Sequence, residues 1–525
     1  MTTTRPRPPE RSRSWFSSGA EHIISRSHAL SAISAAAVLV LAACTSSEEP
    51  ENAEQQTDSA QAVIGSPEPG TTVIDNTDPV AAALDASAEF FDSAPAVVLA
   101  AGEAAGSHQA AGSTASDLAM PVLLTPGQES SADLTEDVVA ELDRLGASTV
   151  LATDDVAAQW AEAELDLDVV TSTDDLPPLD PPEPVESVAV IAAQEHNGAA
   201  TVGTARASGA PVHVLDDADP RSDPEVIDAL AEQQPERVVG IGQQAGGPEQ
   251  LSARVAVAET GIELPGGGQR VFPDRRMVAL YGSPGTPSLG VLGEQEIDEA
   301  VSRVEEQAAE YEGLVDRPVV PTFEIITTIA SGNAGPEGDY SRRVPMEEIQ
   351  EWVDAAGEAG VYVVLDLQPG HTDFLTQAQE YEELLTEPHV GLALDPEWRL
   401  ESGQTHMEQV GSVTAEEVNE VADWLAGLTR EHQLPQKTLV LHQFQTQMIS
   451  DRENVELGHD ELAVLVHADG NGTPQDKLDT YDRLTAGARD EMWWGWKNFH
   501  DEDDPMFTPE QTLEVEPQPV FVSYQ

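Results

Sequence analysis

The chain has 525 residues, enough for two or three domains with sizeable cores. Its 95 acidic against 25 basic side chains give a formal net charge of −70; nucleic acid and anionic lipid headgroups are therefore not expected as direct partners, because polyanions are held by clustered Lys and Arg. The single cysteine excludes a disulfide framework, zinc ribbons and thiol redox chemistry, and no cofactor is expected.

At the N-terminus, Arg5, Arg7, Arg11, Arg13 and Arg26 precede an apolar stretch over residues 29–40 that ends in Leu41-Ala42-Ala43-Cys44. A basic region, a short apolar region and small residues at a cleavage point follow one another in the order of an export signal. The run over 29–43 is about 15 residues, short of the roughly 20 that a helix needs to span a bilayer, although an uncleaved anchor is the alternative. Leu-Ala-Ala-Cys resembles the lipobox of bacterial lipoproteins. That resemblance implies removal of residues 1–43, lipidation of the Cys44 thiol with a diacylglyceryl group, and tethering to the outer face of the cell membrane. Two acyl chains are the number that stable anchoring generally requires.

Residues 44–93 are rich in Glu, Asp, Ser, Thr, Ala and Pro, and read as a disordered acidic tether with too little apolar surface to offset the entropy of ordering. Residues 94–270 read as an α/β domain of two units, about 94–176 and 185–270, joined by a proline-rich stretch. The runs AVVLAA, MPVLLT and STVLAT at 96, 120 and 148 match VAVIAA, APVHVL and RVVGIG at 188, 210 and 237, with offsets of about 90 residues. Continuous apolar runs of this kind suit buried parallel strands. In the helical pattern at 133–145, Leu134, Val138, Leu142 and Leu145 share one face. Pro121–Thr125 and Leu142-Asp143-Arg144-Leu145-Gly146 resemble motifs of the cell wall-binding repeat 2 family, which implies attachment to a cell-wall or envelope polysaccharide. That family opens its first helix with an Asp-Ala step where this chain reads Ser107-His108-Gln109-Ala110-Ala111. A spacer of the same topology is the other reading.

Residues 271–525 predict a (β/α)8 barrel of TIM type. Eight candidate strands, at 277–281, 319–326, 361–367, 390–395, 438–444, 462–467, 492–496 and 520–524, alternate with helical patterns, as parallel strands with helical crossovers do. No eighth helical pattern follows the last strand. Chemistry in such barrels sits at the carboxyl ends of the strands. The candidates there are Glu324; Asp366 and Gln368; Asp395, Glu397 and Trp398; His442, Gln443 and Gln445; His467 and Asp469; Trp493, Trp494, Trp496, Lys497 and Asn498; and Tyr524.

Residues two apart on a strand share a face, so Asp395 and Glu397 point to one mouth. A pair of carboxyls, one protonated and one ionised, is what glycoside hydrolysis requires. With Glu324 and Asp366 they form the candidate catalytic set. Trp398, Trp494, Trp496, Lys497, His442, Gln445, Asp469 and Tyr524 form the candidate substrate-binding set, the indoles as stacking platforms. Core packing is the alternative for the tryptophans, and a buried structural role for His442 and His467. Lysine occurs only at 437, 477 and 497, so Lys497 at a strand end stands out as a partner for a carboxylate or an anionic substituent.

Asp-Pro-Glu on the fourth strand resembles the Asp-x-Glu of chitinase-type and Chalaropsis-type lysozyme barrels. The resemblance implies Glu397 as acid and Asp395 as its electrostatic partner. The chain departs from the first family at Val390 and Ala393 and from the second at Tyr281-Gly282-Ser283, where acids would stand. Metal hydrolase chemistry is not expected, since the first strand carries no His-x-His, and residues 282–290 lack a phosphate-binding signature. The expected protein is an extracytoplasmic lipoprotein that remodels an envelope glycan; a non-catalytic glycan- or protein-binding scaffold is the alternative.

Overall fold

A computed structural model describes residues 60–65, 68–127, 132–180, 185, 187–193 and 198–525. The export signal, Cys44 and residues 45–59 lie outside the described residues. Among the described residues no helix is long and apolar enough to cross a membrane.

Part of the segment expected to be a tether is folded. Gly70–Ile74 forms a strand paired in parallel with Arg237–Ile241, Val73 opposite Gly240 and Ile74 opposite Ile241. Pro79–Phe90 forms a helix whose first turn is held by Asp78, its carboxylate accepting from the backbone N–H of Val80 and Ala81. Average composition hid both elements. The β-branched run Thr71-Thr72-Val73-Ile74 is strand-forming, and Val80, Ala83, Ala86 and Phe90 recur at helical spacing and are buried.

Two four-stranded parallel sheets follow. One orders Val122–Thr125, Ala96–Ala101, Thr149–Ala152 and Asp168–Val170; the other orders Val212–Leu215, Val188–Ala193, Arg237–Ile241 and Gly70–Ile74. The second sheet thus takes its edge strand from before residue 94, so that position is not a domain boundary. Helices Ala105–Leu118 and Ala199–Ala207 cross at Gly112 and Gly203, where a Cβ on residue 203 would sit 2.3 Å from the Cα of Gly112. Only glycine permits that approach.

The C-terminal part is a closed barrel of eight parallel strands: Arg276–Gly282, Val319–Ala330, Tyr362–Leu367, Val390–Leu394, Lys437–Gln443, Leu462–Ala468, Trp493–Asn498 and Phe521–Tyr524. The first strand pairs with both the second and the eighth, Leu280 lying opposite Phe323 and Tyr524, which closes the ring. The lumen is filled at its amino end by Phe272, Met277, Val320, Tyr362, Val364, Val440, Leu465 and Phe521. Alternate strand residues, such as Leu280, Phe323, Leu365, Leu441 and Val466, face the helices in a much larger apolar cluster. Alternation of side chains along each strand produces these two cores.

Charged residues fix the α/β part to the amino end of the barrel. Arg221 donates to both oxygens of Asp219 and to Asp460, while Arg254 makes two hydrogen bonds to Asp460 at 2.9 and 2.7 Å. Burial disfavours the charged form of Asp219, yet Arg221, Arg254 and Arg270 together hold its carboxyl down at about 2. All three lysines of the chain are buried in the barrel. Lys437 donates to the carbonyls of Glu387 and Val390, and Lys477 pairs with Asp503 at 2.9 Å while its ammonium lies over the Trp496 ring.

Candidate active site

At the carboxyl end of the barrel is a cleft of about 670 Å³, lined in part by Tyr281, Gln368, Asp395, Glu397, Trp398, Phe444, Gln445, Asp469, Lys497 and Phe499. Beneath it lies a buried ionic floor. Glu324, Asp366 and His442 are fully enclosed, each projecting inward from a different strand; Asp366 and His442 are tied to Tyr281 and Asp469, which reach the cleft, and Glu324 to His442.

His442 bridges two carboxylates. Its Nε2 lies 2.7 Å from Glu324 Oε1 and its Nδ1 2.9 Å from Asp469 Oδ2. Burial, the largest single influence, opposes the imidazolium, but Glu324, Asp469 and Asp366 outweigh it and hold the ring well above the usual histidine value. Both ring nitrogens therefore donate. The same contact works on the partner: burial pushes Asp469 up, and the bond and charge of His442, with Lys497, bring it below the ordinary carboxyl value. His467, one strand further, is the opposite case. Burial and the neighbouring cations His442 and Lys497 keep it neutral, with its Nε2 2.7 Å from Ser523 Oγ.

Tyr281 ends the first strand where an acid was sought. Its phenol donates to Asp366 Oδ2 at 3.0 Å, and the Lys497 ammonium lies 3.3 Å from its ring centroid, a cation–π contact. Burial and then the opposing effects of His442 and Glu324 leave the Asp366 carboxyl raised to about 6.

Asp395 and Glu397 sit at the turn after the fourth strand, where Asp395 caps the short turn by accepting from the Glu397 N–H at 3.3 Å. Burial raises Asp395 well above its ordinary value, with Glu397 the largest charge adding to it. Glu397 is pushed up to about 7, first by burial and then by Asp469, with Lys497 and His442 working against the rise. Two carboxyls that share a mouth cannot both ionise freely, so the pair holds a proton at neutral pH.

The structure brings Asp395, Glu397, Trp398, Gln445, Asp469 and Lys497 to one cleft and places Glu324, Asp366 and His442 directly under it. Trp398 has one face occupied by His406, the rings stacked at 4.6 Å. Four expected substrate contacts are corrected: His442 is enclosed in the floor, out of reach of the cleft, and three others lie in the outer layer. Trp494 and Trp496 are buried in the outer apolar cluster, Trp496 stacked on Phe507 at 5.1 Å and both beside Tyr481. Tyr524 belongs to the same cluster and hydrogen-bonds Tyr311 at 2.7 Å. On strand seven the inward set is Trp493, Gly495 and Lys497, because a Cβ at 495 would meet His467 Nδ1 at 2.4 Å. Residues 494 and 496 must then face the helices. Sequence reasoning missed Tyr281, whose place two residues past lumen-facing Ala279 is the signal that marks it, and Phe444 and Phe499, apolar residues just beyond strand ends.

Asp395, His442 and Asp469 each offer one ligand atom, all within 4.8 Å of one another, so a metal is geometrically conceivable there. Both ring nitrogens of His442 already face carboxylates, so an ion at this point would have to displace one of those two contacts. The set is better suited to proton and ion-pair chemistry. No family model matches the chain, and no curated protein matches it.

Proposed function

We propose that this chain is a membrane-anchored extracytoplasmic lipoprotein whose barrel hydrolyses or remodels an envelope glycan. The observation that carries the catalytic part is the Asp395–Glu397 pair at the barrel mouth, with Glu397 held near 7 by burial and by Asp469. A carboxyl at that value is poised to protonate a leaving glycosidic oxygen near neutral pH. Asp469, kept ionised by His442, supplies negative charge toward the sugar cation that develops as the bond breaks. The His442 bridge to Glu324 fixes the Asp469 carboxylate in place, and the Tyr281–Asp366 bond with Lys497 above it sets the opposite wall. Trp398, Phe444 and Phe499 offer apolar surface for sugar rings.

Anchoring through Cys44 rests on the Leu41-Ala42-Ala43-Cys44 motif, and wall association on the two α/β sheets and the Pro121–Thr125 motif. The test of the catalytic reading is incubation of purified protein with envelope glycans and measurement of new reducing ends. Wild type should generate them, and Glu397→Gln and Asp395→Asn should lower the rate at least about a hundredfold, the usual scale for loss of a general acid. Equal behaviour of all three proteins would leave the glycan- or protein-binding scaffold as the reading.

A further inference from the structure

The barrel mouth holds more negative charge than its own cations balance. Asp395, Glu397, Asp469 and Glu502 line the cleft, and Glu324 and Asp366 lie beneath it; against these six carboxyls stand Lys497, Arg483 and His442, so that with one proton on the Asp395–Glu397 pair an excess of two negative charges remains. Neither local cation is directed at the middle of the cleft. The Lys497 ammonium is drawn over the Tyr281 ring, and Arg483 donates to Thr480 at the exposed rim.

Three carboxylate oxygens in this cluster have no hydrogen-bond partner among the described residues: Glu324 Oε2, Asp366 Oδ1 and Asp469 Oδ1. The Glu324 and Asp366 side chains are fully buried and that of Asp469 is 9% exposed. Buried acceptors left open are costly unless a donor fills them. Asp469 is the one of the three that lines the cleft, and one of its carboxylate oxygens lies within 4.8 Å of a carboxylate oxygen of Asp395. Charge-assisted N–H···O contacts are on the order of 2.8 Å, so one ammonium can bridge both carboxyls. A hydroxyl could satisfy the open acceptors but not the charge excess.

We propose that the sugar seated between Asp395 and Asp469 carries a free amine, so that the substrate class is a glycan containing N-unsubstituted hexosamine. This deepens the glycan reading above and rests on it. An N-acetyl group presents a neutral amide and a methyl in the same place, and leaves the charge of Asp469 unmatched.

The experiment is calorimetric titration of Glu397→Gln protein, which binds without turnover, with three oligosaccharides of equal length: β-1,4-linked glucosamine, its N-acetylated form, and the glucose analogue that replaces each amine by a hydroxyl. The amine oligomer should bind at least about tenfold more tightly than the other two and lose affinity as salt rises. Adding Asp469→Asn should erase the preference. Adding Lys497→Gln, which removes a competing cation, should strengthen it; the opposite signs hold the test open if one variant folds poorly. Equal or tighter binding of the N-acetylated or hydroxyl oligomer overturns the inference and leaves the glycan reading standing, whereas no binding of any of the three overturns both.

Discussion

His442 Nε2 lies 2.7 Å from Glu324 Oε1 across the floor of the barrel, with both side chains wholly enclosed. An ion pair in that position is stabilising only while both members are present, because removal of one leaves the other buried and uncompensated. Glu324→Gln and His442→Gln should each destabilise the protein by about 3–5 kcal/mol. The double variant should cost less than the sum, since Glu324 no longer stays behind as an unpaired charge and only Asp469 loses its bond to the imidazolium. Chemical denaturation of the four proteins measures this; additive losses would show that the pair does not act as a unit.

Glu397 sets a pH dependence of the opposite kind to an ordinary surface acid. Its carboxyl has an ordinary value of 4.5 and is held at about 7 in the folded chain. Because the folded value is the higher one, its contribution favours folding below 4.5 and is lost as pH rises through 7. Glu397→Gln removes that loss. The variant should match wild type near pH 4.5 and exceed it at pH 8 by on the order of 1–3 kcal/mol. Thermal unfolding across pH 4.5–8 reads the difference, and a constant offset over that range would refute it.

Gly495 lies against His467 in the lumen, where a Cβ would come within 2.4 Å of Nδ1 and 3.1 Å of Leu465 Cδ1. Gly495→Ala should therefore cost about 1–3 kcal/mol through overpacking. His467→Ala in the same chain should restore part of it by giving the new methyl space. Urea midpoints of the two singles and the double decide the matter, and full additivity would place the strain elsewhere.

The barrel was legible because each of its eight strands is a short apolar run between helical patterns, and the strand ends named most of the cleft. What the runs do not encode is phase. Trp493-Trp494-Gly495-Trp496-Lys497 alternates whichever face is inward, and only the space needed by His467 decides that Lys497 enters the mouth while Trp494 and Trp496 pack under the helices. Tyr524 follows the same rule beside Ser523, which turns inward to His467. Pairing across distant sequence was equally hidden. Nothing in residues 70–74 announces that their partners are residues 237–241, and the bridge from Glu324 to Asp469 joins strands two, five and six.

The junction between the α/β part and the barrel depends on Asp460, which receives Arg221 and Arg254 together. Asp460→Ala leaves two buried guanidiniums facing Asp219 alone, and should destabilise by about 2–4 kcal/mol. Limited proteolysis should then cut faster within residues 259–275, the stretch that connects the last helix of the α/β part to the first barrel strand. Cleavage at the wild-type rate would show that the apolar contacts suffice.

Lys437, Lys477 and Lys497 are at most 3% exposed, so the described surface displays no side-chain primary amine. Its exterior positive groups are guanidiniums and imidazoles, which activated esters and aldehydes modify poorly. A reagent that acylates amines should therefore leave the described part of the folded protein nearly untouched and label these three positions only as the barrel opens, which makes the extent of acylation a direct gauge of unfolding of the purified protein.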